Sequence, residues 1–177
     1  MKAVLLKEFG GVENFEDRDW PEPEPKEGEV KISARMISVN PTDYKARSGM
    51  SGGALPMLLG RDTAGVVEAV GAGVSDFAPG DEVMGYLPRF GESGGEGYAG
   101  YVCVPAEFVM KKPEKVSFAE AAALPLVALT AYECVVMKSR IGKGESAFVA
   151  GGSGGVGTMG VQMLRHIGAD PIITTAG

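Results

Sequence analysis

One stretch constrains this chain more than any other. An apolar run (Ser146–Ala150) leads into Ala150-Gly-Gly-Ser-Gly-Gly-Val-Gly157, a helix-forming run follows over Thr158–Ile167, and a second apolar run ends at Thr175. Strand, glycine turn, helix, strand is the order of a βαβ unit. The glycines fit G-x-G-x-x-G at Gly152, Gly154 and Gly157. A bare match of this kind is weak, because glycine-rich loops are common. The flanking strand and helix make it specific. In such a unit Gly152 permits a tight turn and Gly154 lets the backbone approach a pyrophosphate. Gly157 lets the helix pack closely on the strand, and the helix N-terminus supplies donors and partial positive charge. The spacing therefore predicts a dinucleotide-binding turn, with Gly152, Gly154, Gly155, Val156 and Gly157 as the cofactor-binding candidates. The competing reading is a strand-to-helix turn without a ligand.

Glycine is also abundant elsewhere: 27 of 177 residues, about 15% against the ~7% of an average protein. The excess divides between this turn and the punctuation of the first 115 residues. There, Lys2–Lys7, Glu29–Val39, Thr63–Val70, Gly80–Tyr86 and Tyr101–Pro105 read as short strands separated by Gly and Pro. The best alternation puts Val30, Ile32, Ala34 and Met36 on one face. Spacing of this kind predicts a small barrel or sandwich. The glycine-dense segment from Arg89 to Gly100 lacks apolar anchors and reads as a surface loop. At residue 117 the texture changes. Ser117-Phe-Ala-Glu120 is a capping-box pattern, and a helical stretch interrupted by Pro125 runs on to about Ser139. Two domains follow, 1–116 and 117–177.

Charge and cysteine content exclude several functions. With 17 basic against 23 acidic groups the net charge is −6, and no Lys/Arg block offsets it, so nucleic acid is not an expected partner. Two cysteines, Cys103 and Cys134, make no disulfide framework. Met1–Gly10 is too short and too charged for a signal peptide. The apolar run Ala121–Ala131 holds Pro125 and falls short of the ~18 residues of a membrane span. The expectation is a cytoplasmic protein with no membrane partner.

The second strand ends in Thr174-Thr175-Ala176-Gly177. An Asp or Glu at that end would hold a ribose 2′-hydroxyl and repel a 2′-phosphate. None is present, and Asp170 sits at the strand's other end. NADP is favoured over NAD.

Four stretches resemble the medium-chain dehydrogenase/reductase superfamily, specifically its zinc-free quinone oxidoreductase branch, which includes zeta-crystallin. They are Ser38-Val-Asn-Pro-Thr-Asp43 running on to Arg47-Ser-Gly49; Gly60-Arg-Asp-Thr-Ala-Gly-Val-Val67 with Val70-Gly71 and Phe77-x-x-Gly-Asp-x-Val83; Leu124-Pro-Leu-Val-Ala-Leu-Thr-Ala-Tyr132; and Gly152–Gly157 with Gln162 and Arg165. The resemblance implies a mixed β and α/β chain, a GroES-like β-barrel followed by the first βαβ unit of a Rossmann fold. It implies NADPH as cofactor, held between the two parts, and hydride transfer to a quinone or another electron-poor enone. Thr130 matches a family position near the nicotinamide; its competing reading is a helix Thr bonding back to a carbonyl.

Zinc-dependent members of the superfamily hold the metal with Cys and His. A catalytic zinc needs about three such ligands. Here Asn40 stands at the first ligand position and Arg61-Asp62 replaces a His-Glu pair, while the one histidine, His166, lies beyond the glycine turn. A zinc site is not expected. Without a metal, hydrogen bonds and placement must serve the substrate. Asn40 is the first catalytic candidate, against the reading of an Asn that satisfies the turn before Pro41. Tyr44 is the second, as a donor to the developing oxyanion, although the branch often carries Tyr one position later, at Lys45 in this chain. Asp43 reads equally as a local cap. Cys103 and Cys134 read as small apolar residues, Tyr98 and Tyr101 as strand packing, and Met36, Met57, Met84 and Met110 as gap fillers.

A single βαβ unit cannot cover both faces of its own sheet, so the chain reads as a fragment, inactive alone, of an enzyme whose full-length form leaves room for a homo-oligomer. Two other classes remain open: a non-catalytic GroES-like binding or structural module, and an NADPH-binding redox sensor.

Overall fold

The structure is a computed structural model and describes residues 1–50, 52–88 and 97–176; most of the glycine-dense segment, residues 89–96, lies outside them. The backbone divides into two units, Met1–Pro125 and Leu126–Gly177, each taken here on its own.

The first unit contains eight described strands and two short helices. These are β1 (Lys2–Leu6), β2 (Phe15–Asp19), β3 (Glu29–Ile37), α1 (Pro41–Arg47), β4 (Met57–Leu58), β5 (Asp62–Val70), β6 (Glu82–Tyr86), β7 (Tyr101–Pro105), β8 (Val109–Lys111) and α2 (Phe118–Ala122). One sheet runs β2-β1-β4 and the other β7-β3-β5-β6-β8. All the pairings in both are antiparallel. Inward residues of the larger sheet, Val30, Ile32, Val67, Val83, Val102 and Val104, make its core. Burying a side chain of this size contributes roughly 1.5–3 kcal/mol.

β3 does not keep the alternation its sequence suggests. Its pairing with β5 shifts between Lys31 and Ile32, where Glu68 of β5 is the extra residue, and again between Ala34 and Met36, where Arg35 of β3 is; an extra residue on β3 turns its following side chains over. Met36 and Ile37 therefore come out exposed. Of the four methionines expected to fill gaps, Met57 is buried, whereas Met36 and Met110 stand about half exposed. Ser117 and Glu120 form the expected box: the Glu120 N–H donates to Ser117 Oγ (3.3 Å) and the Ser117 N–H to Glu120 Oε2 (2.8 Å). α2 then lays Ala121 and Ala122 against Ala64 of β5. That contact is why the division of the chain falls after Pro125, later than the change of texture at residue 117.

α3 (Pro125–Tyr132) runs into a π-helical turn, Glu133–Ser139. Beyond it come β9 (Ala147–Val149), α4 (Gly155–Ile167) and β10 (Ile172–Thr174). β9 and β10 pair in parallel, Ile172 opposite Ala147 and Thr174 opposite Val149. Leu164 of α4 packs with Val135 and Ala169. The helix stops at Gly168, φ 87°, whose N–H reaches back to the Leu164 carbonyl at 3.1 Å. No helix among the described residues is long and apolar enough to cross a membrane.

Candidate functional site

Two places carry the polar chemistry, one in each unit. The first lies where β3 gives way to α1. Pro41 opens that helix, where a missing N–H costs nothing. Only Asp43 and Ala46 of α1 are buried, so the segment shows no apolar periodicity and its helix is not legible from pattern. Asp43, 2% exposed, does more than cap. Its Oδ2 accepts the Asn40 N–H at 2.7 Å and its Oδ1 accepts the Gly60 N–H at 3.0 Å. The Tyr98 hydroxyl bonds to the same carboxylate. Burial first, and then this negative partner, push the Tyr98 hydroxyl well above the usual tyrosine range. Tyr98 is thus a neutral donor.

Asp62 anchors the other half. Its Oδ2 accepts the Ser38 hydroxyl at 2.6 Å and the Asn40 amide at 2.8 Å, and the same amide nitrogen donates to Ser38 Oγ at 3.0 Å. Asn40, 5% exposed, thus directs its amide nitrogen at the Ser38–Asp62 pair, and its side chain takes part in the capping box that opens α1. Tyr44 faces away from this network and is 52% exposed.

The second place is the glycine turn. α4 begins at Gly155, three residues before the expected start at Thr158, and its first intrahelical bond joins the Thr158 N–H to the Gly154 carbonyl (2.8 Å). In a helix opening there, the N–H groups of Gly155, Val156 and Gly157 have no intrahelical partner. The tight turn expected of Gly152 belongs instead to Gly151, whose φ is +70°. Gly152 has a different reason to lack a side chain: its Cβ would run into the Thr174 side chain. A Cβ on Gly157 would meet the Gly151 carbonyl and lie 2.7 Å from Gly152 Cα. Backbone on both sides cannot yield, so helix and turn close tightly. Free donors at a helix N-terminus beside a turn of glycines broken only by Ser153 fit a diphosphate.

Thr130 donates its hydroxyl to the Leu126 carbonyl at 2.7 Å, the back-bonded arrangement. His166 is exposed on α4. Cys103 is buried, and burial followed by Glu29 pushes its thiol up to about 11. Cys134, read as a small apolar residue, is exposed. Tyr98 packs on the cluster of Leu6, Ala46 and Leu59, and Tyr101 lies under the Lys31 ammonium at 5.2 Å. The segment 97–100 is pinned to β1, the Val4 N–H donating to the Tyr98 carbonyl (2.8 Å) and the Gly100 N–H to the Lys2 carbonyl (3.0 Å); this end of the expected loop is not free. Sequence reasoning missed the roles of Ser38, Gly60, Gly151 and Thr175. Their partners lie 17 to 24 residues away, and no local pattern announces such a pairing.

Residues 26–114 match the family profile of the alcohol dehydrogenase GroES-like domain. The human quinone oxidoreductase is 39% identical over 180 residues, which cover 100% of this chain and 53% of that protein. A tomato (Solanum lycopersicum) 2-methylene-furan-3-one reductase is 37% identical over 184 residues, covering 99% of this chain and 47% of the relative. Among solved structures, the Escherichia coli quinone oxidoreductase complexed with NADPH superposes with a TM-score of 0.87 at 28% identity, over 100% of this chain and 53% of that one. The chain thus spans about half the length of the relatives it matches. With a GroES-like domain over residues 26–114 and these relatives along its whole length, the chain belongs to the medium-chain dehydrogenase/reductase superfamily, in its quinone oxidoreductase branch.

Proposed function

We propose that this chain belongs to an NADPH-dependent, zinc-independent oxidoreductase that transfers hydride to a quinone or another electron-poor enone or carbonyl. The observation that carries the reading is the glycine turn, where a parallel strand pair, a helix opening at Gly155 and two positions closed to a Cβ, Gly152 and Gly157, come together. NADPH, when bound, supplies the hydride. The chain's own part is to hold and orient. The N–H groups of Gly155, Val156 and Gly157 take the diphosphate, and Thr130 keeps a lone pair for a donor while its hydroxyl donates to the Leu126 carbonyl. In the barrel unit, the amide of Asn40, held by Ser38 and Asp62, is the buried polar group offered to a ligand, and the exposed Tyr44 is the hydroxyl available to an oxyanion.

The zinc-independent part is supported by chemistry at two positions. Asn40 offers an amide where a metal needs a soft or anionic ligand, and Asp62 Oδ2 is engaged by Ser38 and Asn40. The absence of an acid at Thr174–Thr175 supports NADPH over NADH.

The test follows NADPH oxidation with naphthoquinones and phenanthrenequinone, on a longer polypeptide that carries this chain, with the chain alone expected not to turn over. In the longer polypeptide, turnover with NADPH exceeding that with NADH is expected. A longer polypeptide that folds and binds NADPH but reduces none of the panel would sink the enzyme and favour a sensor or a binding module. Tight, stoichiometric zinc in a metal analysis would overturn the metal-free part alone.

A further inference from the structure

The glycine turn is not self-supporting. Its first two amides point toward the end of β10: the Gly151 N–H donates to Thr175 Oγ1 at 2.8 Å and the Gly152 N–H to the Thr175 carbonyl at 2.9 Å. The Thr175 N–H returns a bond to the Val149 carbonyl at 3.3 Å, and the Thr174 hydroxyl donates to the same carbonyl at 2.7 Å. The Thr174 side chain fills the space beside Gly152, and the Thr158 hydroxyl closes on the Gly152 carbonyl at 3.2 Å. The donors of the turn are thus divided. Those of Gly151 and Gly152 are committed to β10, and those of Gly155, Val156 and Gly157 open α4.

We infer that Thr175 is a positioning residue for dinucleotide binding: its hydroxyl latches Gly151 and so holds the turn in the shape that aims the α4 amides at a diphosphate. Two features of the site call for a latch, and a third lets a threonine supply it. Gly151 sits at φ +70°, and Gly151 and Gly152, without side chains, are free to leave that shape. The covalent connection from residue 151 to residue 175 runs through the whole of α4, and the β9–β10 ladder stops at Thr174, so bonds between Thr175 and the turn are what tie Gly151 to that strand end. A threonine can do this with its side chain because the parallel pairing of β9 and β10 brings the end of β10 level with the start of the turn. A preorganised turn avoids an ordering cost on each binding event. The inference rests on the dinucleotide reading of the turn.

The experiment measures equilibrium binding of NADPH and of NADH by fluorescence titration to wild type, Thr175→Val and Thr175→Ser, with thermal unfolding of each. Thr175→Val keeps the side chain's shape and deletes the acceptor. It is expected to weaken both dinucleotides by a similar factor, about 10-fold, the size of one lost hydrogen bond. Thr175→Ser, which restores the acceptor, is expected to bind within about 2-fold of wild type. Val and Ser variants that bind equally weakly, or a Val variant that binds like wild type, would overturn the latch. So would a loss confined to NADPH, which would mean that Thr175 touches the 2′-phosphate directly. Wild-type protein that binds neither dinucleotide would instead overturn the function proposed above, so the two failures are distinguishable.

Discussion

Asp43 gathers two backbone donors at one buried carboxylate, the N–H groups of Asn40 and Gly60. A carboxylate taken out of water is tolerable only with such partners. Removing it strands both donors at once. Asp43→Ala is accordingly expected to destabilise the chain by about 3 kcal/mol, read from the midpoint of urea unfolding. Thr63, on the adjacent strand β5, gives the opposite case. It is fully buried, and its Oγ1 lies without a hydrogen-bond partner. Thr63→Val removes a buried polar atom at constant shape, and the same titration should show equal or higher stability. A clear loss of stability in Thr63→Val, or none in Asp43→Ala, would mean these hydrogen-bond assignments are wrong.

At the scale of elements, the two places built around helix openings differ in how much of them could be read locally. The start of α2 was legible because a capping box is written within four residues, Ser117 to Glu120. Ser117→Ala should cost about 1 kcal/mol. The Glu120 carboxyl is held below its ordinary value near 4.5 by the Ser117 hydroxyl first and the Ser117 N–H second. A lowered carboxyl stabilises the fold above the unfolded-state value and loses that contribution as pH falls through the folded-state value. Urea unfolding at neutral and acid pH should therefore show Glu120→Gln less sensitive to acid than wild type; equal acid sensitivity would count against the box. α1 is the contrary case. It has the same opening logic, with Asn40 before Pro41, but its inward groups are a carboxylate and a methyl, and a pattern built on large apolar residues passes over it. β4 and β8, two and three residues long, are too short to alternate visibly, and β2 has no buried residue to reveal it.

At the scale of the whole molecule, the two units bury their strands very differently. In the first, β5 is hydrogen-bonded on both sides, by β3 and β6, and Ile32 and Val67 are all but inaccessible. In the second, β9 and β10 are three residues each and pair only with each other among the described strands, with Phe148 65% and Ile173 57% exposed. A two-stranded sheet with such faces is marginal. Amide hydrogen exchange on the chain should find Ala147–Val149 and Ile172–Thr174 at least about 100-fold less protected than Ile32 and Val67, a gap of ~3 kcal/mol. Equal protection would show that the second unit is more stable than its burial implies.

The sequence by itself determined the kinds of element and their order: short strands punctuated by Gly and Pro, a capped helix, then strand, glycine turn, helix and strand. These depend on neighbours in the chain, on periodicity and on backbone preferences that act within a few residues. Only the tertiary structure decided the partners. That Asp43 reaches Gly60, that Asp62 takes both Ser38 and Asn40, that β3 slips its register twice, and that Gly151, not Gly152, makes the turn and is held by Thr175 all depend on groups distant in sequence. The glycine-rich motif shows why. Its glycines are legible as glycines, but which one bends and which one merely makes room is set by the side chain that arrives against it from another strand.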